Sequence, residues 1–276
     1  MARVWTREDV VRALRAPTAL DDKYSRGVLG VRTGSELYPG AAVLGVEAAW
    51  RTGVGMVRYL GPPRPTALVL GRRPETVVAD GRVQAWVLGS GTDAAARGAA
   101  ETEILRAVLS DTDPVVADAG ALDIAAHGTA PRILTPHDRE HARLRTALGL
   151  PPPRGPRSDA ARETADATGA VVLLKGSETV VAAPGAEPVT VSEGTPWLAT
   201  AGTGDVLAGT IGALVAVAAA DRVPGADGLA ALAASGAWLH GRAGAIASSA
   251  VGGGPVTALD VAEALPRAVA EVLSSV

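Results

Sequence analysis

The chain has 276 residues, of which 47% are hydrophobic and 20% charged, a balance that suits a large packed core and excludes a wholly disordered chain. Lys and Arg total 26 against 29 Asp and Glu, so no excess of positive charge is present to grip a phosphate backbone, which argues against nucleic acid as a partner. Cysteine is absent, which removes disulfides, thiolate metal sites and a cysteine nucleophile.

The first residues, MARVWTREDVVRAL, contain neither the apolar stretch nor the small-residue cleavage site of a secretory signal. The longest uncharged apolar run, Val206 to Ala220, is 15 residues. A membrane span needs about 20. The expectation is a cytoplasmic protein without a membrane partner. Arginine is the default cation here, and the two lysines are Lys23 and Lys175. A lysine kept in such a background can supply a compact charge on a flexible stem, or it can be an ordinary surface residue.

In chain order, Thr6 to Leu14 predicts a short helix capped by Thr6. Gly27 to Thr33 predicts a strand, and Pro39 opens a helix that stops at Gly53. Met56 to Leu60, Thr66 to Leu70 and Ala85 to Leu88 are expected as strands. Asp93 is expected to cap a helix reaching Leu109. Val115 to Ala117 and Arg132 to Leu134 are strands ending at Asp118 and at Thr135-Pro136, followed by a helix from Asp138 to Ala147. The proline-rich stretch Pro151 to Pro156 is a surface loop. Val171 to Leu174 is a strand ending at Lys175-Gly176, and Val180 to Ala183 with Val189 to Val191 form a hairpin or edge pair. The last third is helical, over Asp205 to Ala220, Asp227 to Ile246 and Thr257 to Leu273. Strands alternating with helices predict a mostly parallel sheet covered on both faces. Such a sheet places its ligand outside the carboxyl ends of its strands. Gly89-Ser90-Gly91, Asp118, Thr135-Pro136-His137 and Lys175-Gly176 all fall there.

Standard phosphate-loop, dinucleotide and serine-hydrolase motifs are absent. The strongest local feature is Ala201-Gly202-Thr203-Gly204-Asp205 opening an apolar helix. Glycines expose backbone amides, and a helix start adds unpaired N–H groups with partial positive charge, which together suit a transferring phosphoryl group. Asp205 could take a proton from a hydroxyl; the plainer alternative makes it a helix cap beside a tight turn. Lys175 to Thr179 (Lys-Gly-Ser-Glu-Thr) could hold a nucleotide, or be a hairpin with an exposed lysine. His137 and His141 fit H-x-x-E-H and would share a helix face as zinc ligands, a competing metallopeptidase reading with no third ligand in sight. His127 and His240 have no motif context.

The run TAGTGDVLAGTIGALVA resembles the signature of ADP/ATP-dependent NAD(P)H-hydrate dehydratases, members of the ribokinase-like superfamily. GVLGVRTGS with PGAAVLGVEAAWRTGVGMV, then VLGSGTD, VVADAGALD, ILTPHDRE and VVLLKGSETVVAAPG, follow in that family's order from about Lys23 to the last helix. The resemblance implies a three-layer α/β/α sandwich formed as one domain over residues 1–276, with residues 1–20 as a helical extension and no fused epimerase domain. It implies that hydrated NADH or NADPH is repaired with ADP or ATP as phosphoryl donor and Mg²⁺ as cofactor. Asp205 would be the base, Ala201, Gly202, Thr203 and Gly204 the anion hole, and Gly204 a nucleotide contact. Lys175, Gly176, Ser177, Glu178 and Thr179 match nucleotide-binding positions. Ala42, Gly91 and His137 match substrate-binding positions, and Glu140 an acidic position linked to Mg²⁺ through water. Family members are commonly tetramers. Ser192 to Trp197 stands where the family often carries Asn, and Asp123 where Asn is common. The rival within the superfamily is a small-molecule kinase acting on hydroxymethylpyrimidine phosphate or hydroxyethylthiazole.

Overall fold

The computed structural model describes residues 2–274. Nine strands form one sheet: β1 (Arg3–Val4), β2 (Val28–Arg32), β3 (Met56–Tyr59), β4 (Ala85–Leu88), β5 (Val115–Ala117), β6 (Arg132–Leu134), β7 (Val171–Leu174), β8 (Thr179–Ala182) and β9 (Val189–Val191). Their spatial order is β1-β9-β8-β7-β6-β5-β4-β2-β3, parallel throughout except that β8 runs against both of its neighbours.

Side-chain alternation assigns the two faces. Leu29, Val31, Val87, Val116, Ile133, Leu173 and Val181 point into one core, packed under α1 (Arg7–Ala13), α2 (Gly40–Thr52), α8 (Thr203–Asp221), α9 (Ala226–Ala250) and α10 (Ala258–Leu273). Leu88, Val115, Ala117, Leu134, Val172 and Leu174 point into the other, under α4 (Ala99–Leu109), α5 (Leu122–Ala125), α6 (Asp138–Ala147) and α7 (Arg157–Thr168). Burial on both faces explains why these strands are continuous Val and Leu runs. The result is the mostly parallel three-layer α/β/α sandwich that the alternation predicts.

Three expectations need correction, and one edge strand was not foreseen. Thr66 to Leu70 is not a strand but lies in α3 (Pro63–Arg72). Pro62 and Pro63 preset the first turn, Thr66 N–H and Oγ1 both bond the Pro62 carbonyl, and the buried pair Pro65 and Val69 stands four apart on one face. Asp93 caps only a short 3₁₀ turn at Ala94–Ala96, and α4 begins separately after Gly98. β1, a two-residue edge strand beside β9, is too short to carry a periodic signal. α8 starts at Thr203 with Gly202 as its cap, so Asp205 sits inside the first turn rather than at the cap. By length and composition α8 could cross a membrane, yet two thirds of its apolar window is buried inside the protein, as in a core helix.

One charged cluster ties the helical layer together. Glu47 of α2 is fully buried and accepts bonds from Arg51 (3.0 Å), Arg72 (3.3 Å) and Arg73, while Arg72 also reaches Glu263 of α10 at 2.6 Å. Burial favours the neutral acid, but the surrounding guanidinium groups outweigh it and hold the Glu47 carboxyl below its ordinary range. Its stabilising contribution is complete above the unfolded glutamate pKa and is lost as pH falls through the depressed folded value. Glu47→Ala is expected to cost about 3 kcal/mol at neutral pH, because it leaves the arginines facing a void. Urea melts at pH 7 and pH 4 check this, and the penalty should shrink at the lower pH.

Candidate active site

The carboxyl edge of the sheet collects the chemistry. At its centre, Gly202 holds φ +90, and a Cβ there would fall 2.6 Å from Leu44 Cδ1 and 3.0 Å from Ala258 Cβ. Only glycine fits that conformation and that space. Thr203 Oγ1 donates to the carbonyls of Leu198 (2.9 Å) and Thr200 (2.8 Å), which pins the turn. The first-turn amides of α8 have no intrahelical carbonyl to meet and leave a partial positive charge at this end. Ala201 is exposed, Gly202 and Gly204 are half-buried, and Thr203 is buried.

Asp205 stands one residue further on. Its carboxyl is pushed up to about 7, chiefly by burial and next by the negative charge of Asp118, against which Lys175 pulls downward. Such a group is poised to take a proton near neutrality. Lys175 lies where the β6–β7 ladder runs on past its strands: its N–H bonds the Pro136 carbonyl at 2.9 Å, and the backbone pairs with His137. Lys175 Nζ is 2.7 Å from Asp118 Oδ1 and 3.7 Å from Glu140 Oε2, and a Cβ on Gly204 would come within 3.7 Å of it. Asp118, almost fully buried, also accepts from Ser90 Oγ at 3.0 Å and Thr135 Oγ1 at 2.9 Å. Burial would lower the Lys175 pKa, but Asp118, Glu140 and Asp205 raise it overall, so the ammonium stays charged.

Two cavities flank this centre. One, of about 550 Å³, is walled by Lys175, Ser177, Thr179, Glu193, Thr203 and Gly204. Gly176 also lines it, whereas Glu178 does not and instead gives its carbonyl to Arg157. The larger, of about 860 Å³, opens beyond Gly89 and Thr92 among the loops that follow β2, β3 and β4. Between them, Gly91 packs so closely on the start of α2 that a Cβ would sit 2.3 Å from Ala41 Cβ. Ala42 is completely buried in the first turn of α2. His137 caps α6: its Nδ1 accepts the amides of Arg139 (3.1 Å) and Glu140 (3.2 Å), while its N–H goes to Glu140 Oε2 at 2.8 Å.

The zinc reading does not survive this geometry. The His141 ring is buried, bonds Thr164 Oγ1 at 2.9 Å and is lowered to about 4 by burial and Arg145, while the His137 ring is spent on the cap of α6. Among the described residues no group of three or more His, Asp or Glu could hold a metal ion. Glu140 alone suits a Mg²⁺ held through water and completed by phosphate oxygens, the habit of that ion. Sequence reasoning gave no role to His240, which is buried in α9 and lines the smaller cavity, whose wall also includes the Ser192 to Pro196 loop noted there for its missing Asn. A lone histidine in an apolar helix gives no periodic signal of a cavity wall.

A family model described as NAD(P)H-hydrate dehydratase matches residues 29–267. The chain belongs to the NAD(P)H-hydrate dehydratase family. It is 47% identical over 221 residues to the bifunctional NAD(P)H-hydrate repair enzyme Nnr of Mycobacterium tuberculosis, a match covering 75% of this chain and 45% of that protein. It is 37% identical over 246 residues to the ADP-dependent (S)-NAD(P)H-hydrate dehydratase of Neisseria meningitidis, covering 82% and 79%. The crystal structure of the ADP/ATP-dependent NAD(P)H-hydrate dehydratase from Bacillus subtilis, co-crystallised with ATP and Mg²⁺, superposes with a TM-score of 0.83 at 25% identity, covering 98% of this chain and 99% of that one. The chain spans about half the length of the bifunctional relatives it matches.

A carboxyl whose folded pKa lies above its unfolded value contributes stability that is fully present below the unfolded pKa and is lost as pH rises through the folded value. For Asp205 this window runs from about 3.8 to about 7. Asp205→Asn is therefore expected to be more stable than the parent at pH 8, by on the order of 2 kcal/mol after solvent screening, and to differ little at pH 4. Thermal melts across that range measure the divergence.

Proposed function

We propose that this chain is an ADP-dependent NAD(P)H-hydrate dehydratase that returns hydrated NADH or NADPH to the reduced nicotinamide. The observation that carries the reading is Asp205 in the first turn of α8, directly after Thr203 and Gly204, which wall the smaller cavity together with Lys175. A phosphoryl donor in that cavity directs its terminal group at Gly202, Thr203 and Gly204, with Ala201 completing the turn. Lys175, Gly176, Ser177 and Thr179 hold its phosphates and sugar, and Glu178 shapes the loop from behind. The hydrated ring comes from the opposite side, toward the Ala42, Gly91 and His137 positions that the family resemblance assigns to substrate.

Asp205 takes the proton of the ring hydroxyl as its oxygen bonds to the terminal phosphorus and AMP departs. The phosphorylated oxygen is a good leaving group. The ring nitrogen lone pair expels it as inorganic phosphate, and loss of a proton from the neighbouring carbon restores the double bond. Such transfer relies on positioning and charge stabilisation more than on a strong base. When bound, Mg²⁺ neutralises phosphate charge, and Glu140 is the residue that would hold it through water. The same likeness supports a cytoplasmic homotetramer built from a single domain over residues 1–276; light scattering reads its mass.

Incubation with hydrated NADH, ADP and Mg²⁺ is expected to restore NADH absorbance, with ATP compared in parallel. Failure to restore it with either donor refutes the reading. Asp205→Asn is expected to lose roughly a thousandfold in kcat while keeping its affinity for ADP by calorimetry, the pattern of a lost general base.

A further inference from the structure

Asp118, Ser90 and Thr135 stand at the ends of three neighbouring strands, yet none of them is needed as a contact to donor or acceptor in the reaction above. Asp118 is among the most buried carboxylates of the described residues, and every bond it makes is directed. Oδ2 accepts from Ser90 Oγ at 3.0 Å. Oδ1 accepts from Thr135 Oγ1 at 2.9 Å and from Lys175 Nζ at 2.7 Å. Two hydroxyls thus aim one carboxylate at one ammonium. A buried carboxylate so fully bonded has little freedom to reorient.

Lys175 would otherwise have two anionic places to go. Glu140 Oε2 lies 3.7 Å away, and the turn that carries Asp205 comes so near that a Cβ on the adjacent Gly204 would sit 3.7 Å from Nζ. The remaining groups around the acid cannot substitute for Asp118. His240 of α9 is neutral near pH 7, because burial lowers its ring to about 4. His137 is committed to the cap of α6. From α2 and α10, Leu44 and Ala258 reach the Gly202 turn, and neither is charged.

We propose that Asp118 is the positioning residue of this site: it anchors Lys175 toward the phosphoryl donor and thereby keeps the lysine from closing an ion pair with Asp205, which stays free to accept the substrate proton. The inference rests on the dehydratase reading for the identity of donor and acceptor, but not for the direction of the effect. With Asp118 neutralised, the lysine charge falls on Asp205, which becomes more acidic and a poorer base. With the lysine removed instead, Asp205 faces Asp118 uncompensated and becomes less acidic. Loss of a merely structural bond predicts no such opposition.

The test compares Asp118→Asn and Lys175→Met with the parent, after circular dichroism and melting confirm that each is folded. Asp205 is titrated by carboxyl ¹³C NMR, and the acid limb of the kcat/KM profile is followed with hydrated NADH and ADP. Asp118→Asn is expected to move both midpoints about one pH unit lower, and Lys175→Met about one unit higher. At pH 7, Asp118→Asn should also lose roughly tenfold in kcat with a smaller change in KM, since the aim of the base and lysine fails rather than binding. Ser90→Ala combined with Thr135→Val, which frees the carboxylate without removing its charge, should give a partial shift in the Asp118→Asn direction. An Asp205 midpoint that stays put in folded Asp118→Asn, or that moves upward, overturns the proposal. Absence of turnover in the parent would refute the dehydratase reading, while the NMR titration would still decide the role of Asp118.

Discussion

Everything at the site depends on how closely α2 and α8 approach one another. A Cβ at Gly209 would lie 2.2 Å from the Gly45 carbonyl oxygen, so the two backbones touch where side chains would otherwise hold them apart. One turn on, Gly212 leaves room for Val87 and Leu29 of the sheet, and Gly236 of α9 does the same for Ile211. A helix seated on glycines from three sides cannot slide or turn without clashes, because protein interiors are packed as densely as crystals. Its amino terminus is therefore delivered to one place on the sheet edge. Gly202 and Asp205 inherit their positions from contacts several turns away.

That dependence explains what the sequence disclosed and what it hid. Most strands were legible because each is a short, Val- and Leu-rich run bounded by polar or glycine residues, and the later helices because Thr257 and the long Ala-Leu stretches mark them plainly. The Thr66–Leu70 run was misread because so short an apolar run suits either a strand or a helix, and only the prolines preceding it decide. The glycine turn with its acid was visible as a motif, as were Lys175 and the strand-end residues. The partnership of Asp118 with Lys175 was not, because it joins positions 57 residues apart through a sheet order that periodicity does not encode. Nor could the sequence tell that the glycines of α8 are packing surfaces rather than flexible points.

The electrostatic economy of the molecule also becomes intelligible. Arginine does the structural work: Arg132 is buried and feeds the carbonyls of Ala125, Ala130 and Thr168, and Arg145 bonds Ala160, Pro151 and Glu163. Planar guanidinium groups with several fixed donors suit that bracing. At the sheet edge the need differs. One compact charge must fit among Asp118, Glu140 and the foot of α8, and a flexible ammonium meets it where a fork of five donors would not.

The reversal of β8 has a consequence for how this cavity can change. A parallel strand after Lys175 would first carry the chain back across the layer, whereas the hairpin returns it to the same edge at Thr179. One side of the smaller cavity is thus a single short loop, tethered at both ends by the ladder and braced from outside by Arg157. The opposite cavity is assembled from loops scattered through the first hundred residues. Altering the loop is a local edit that leaves both cores untouched, while altering the other wall requires concerted changes in segments far apart in the chain.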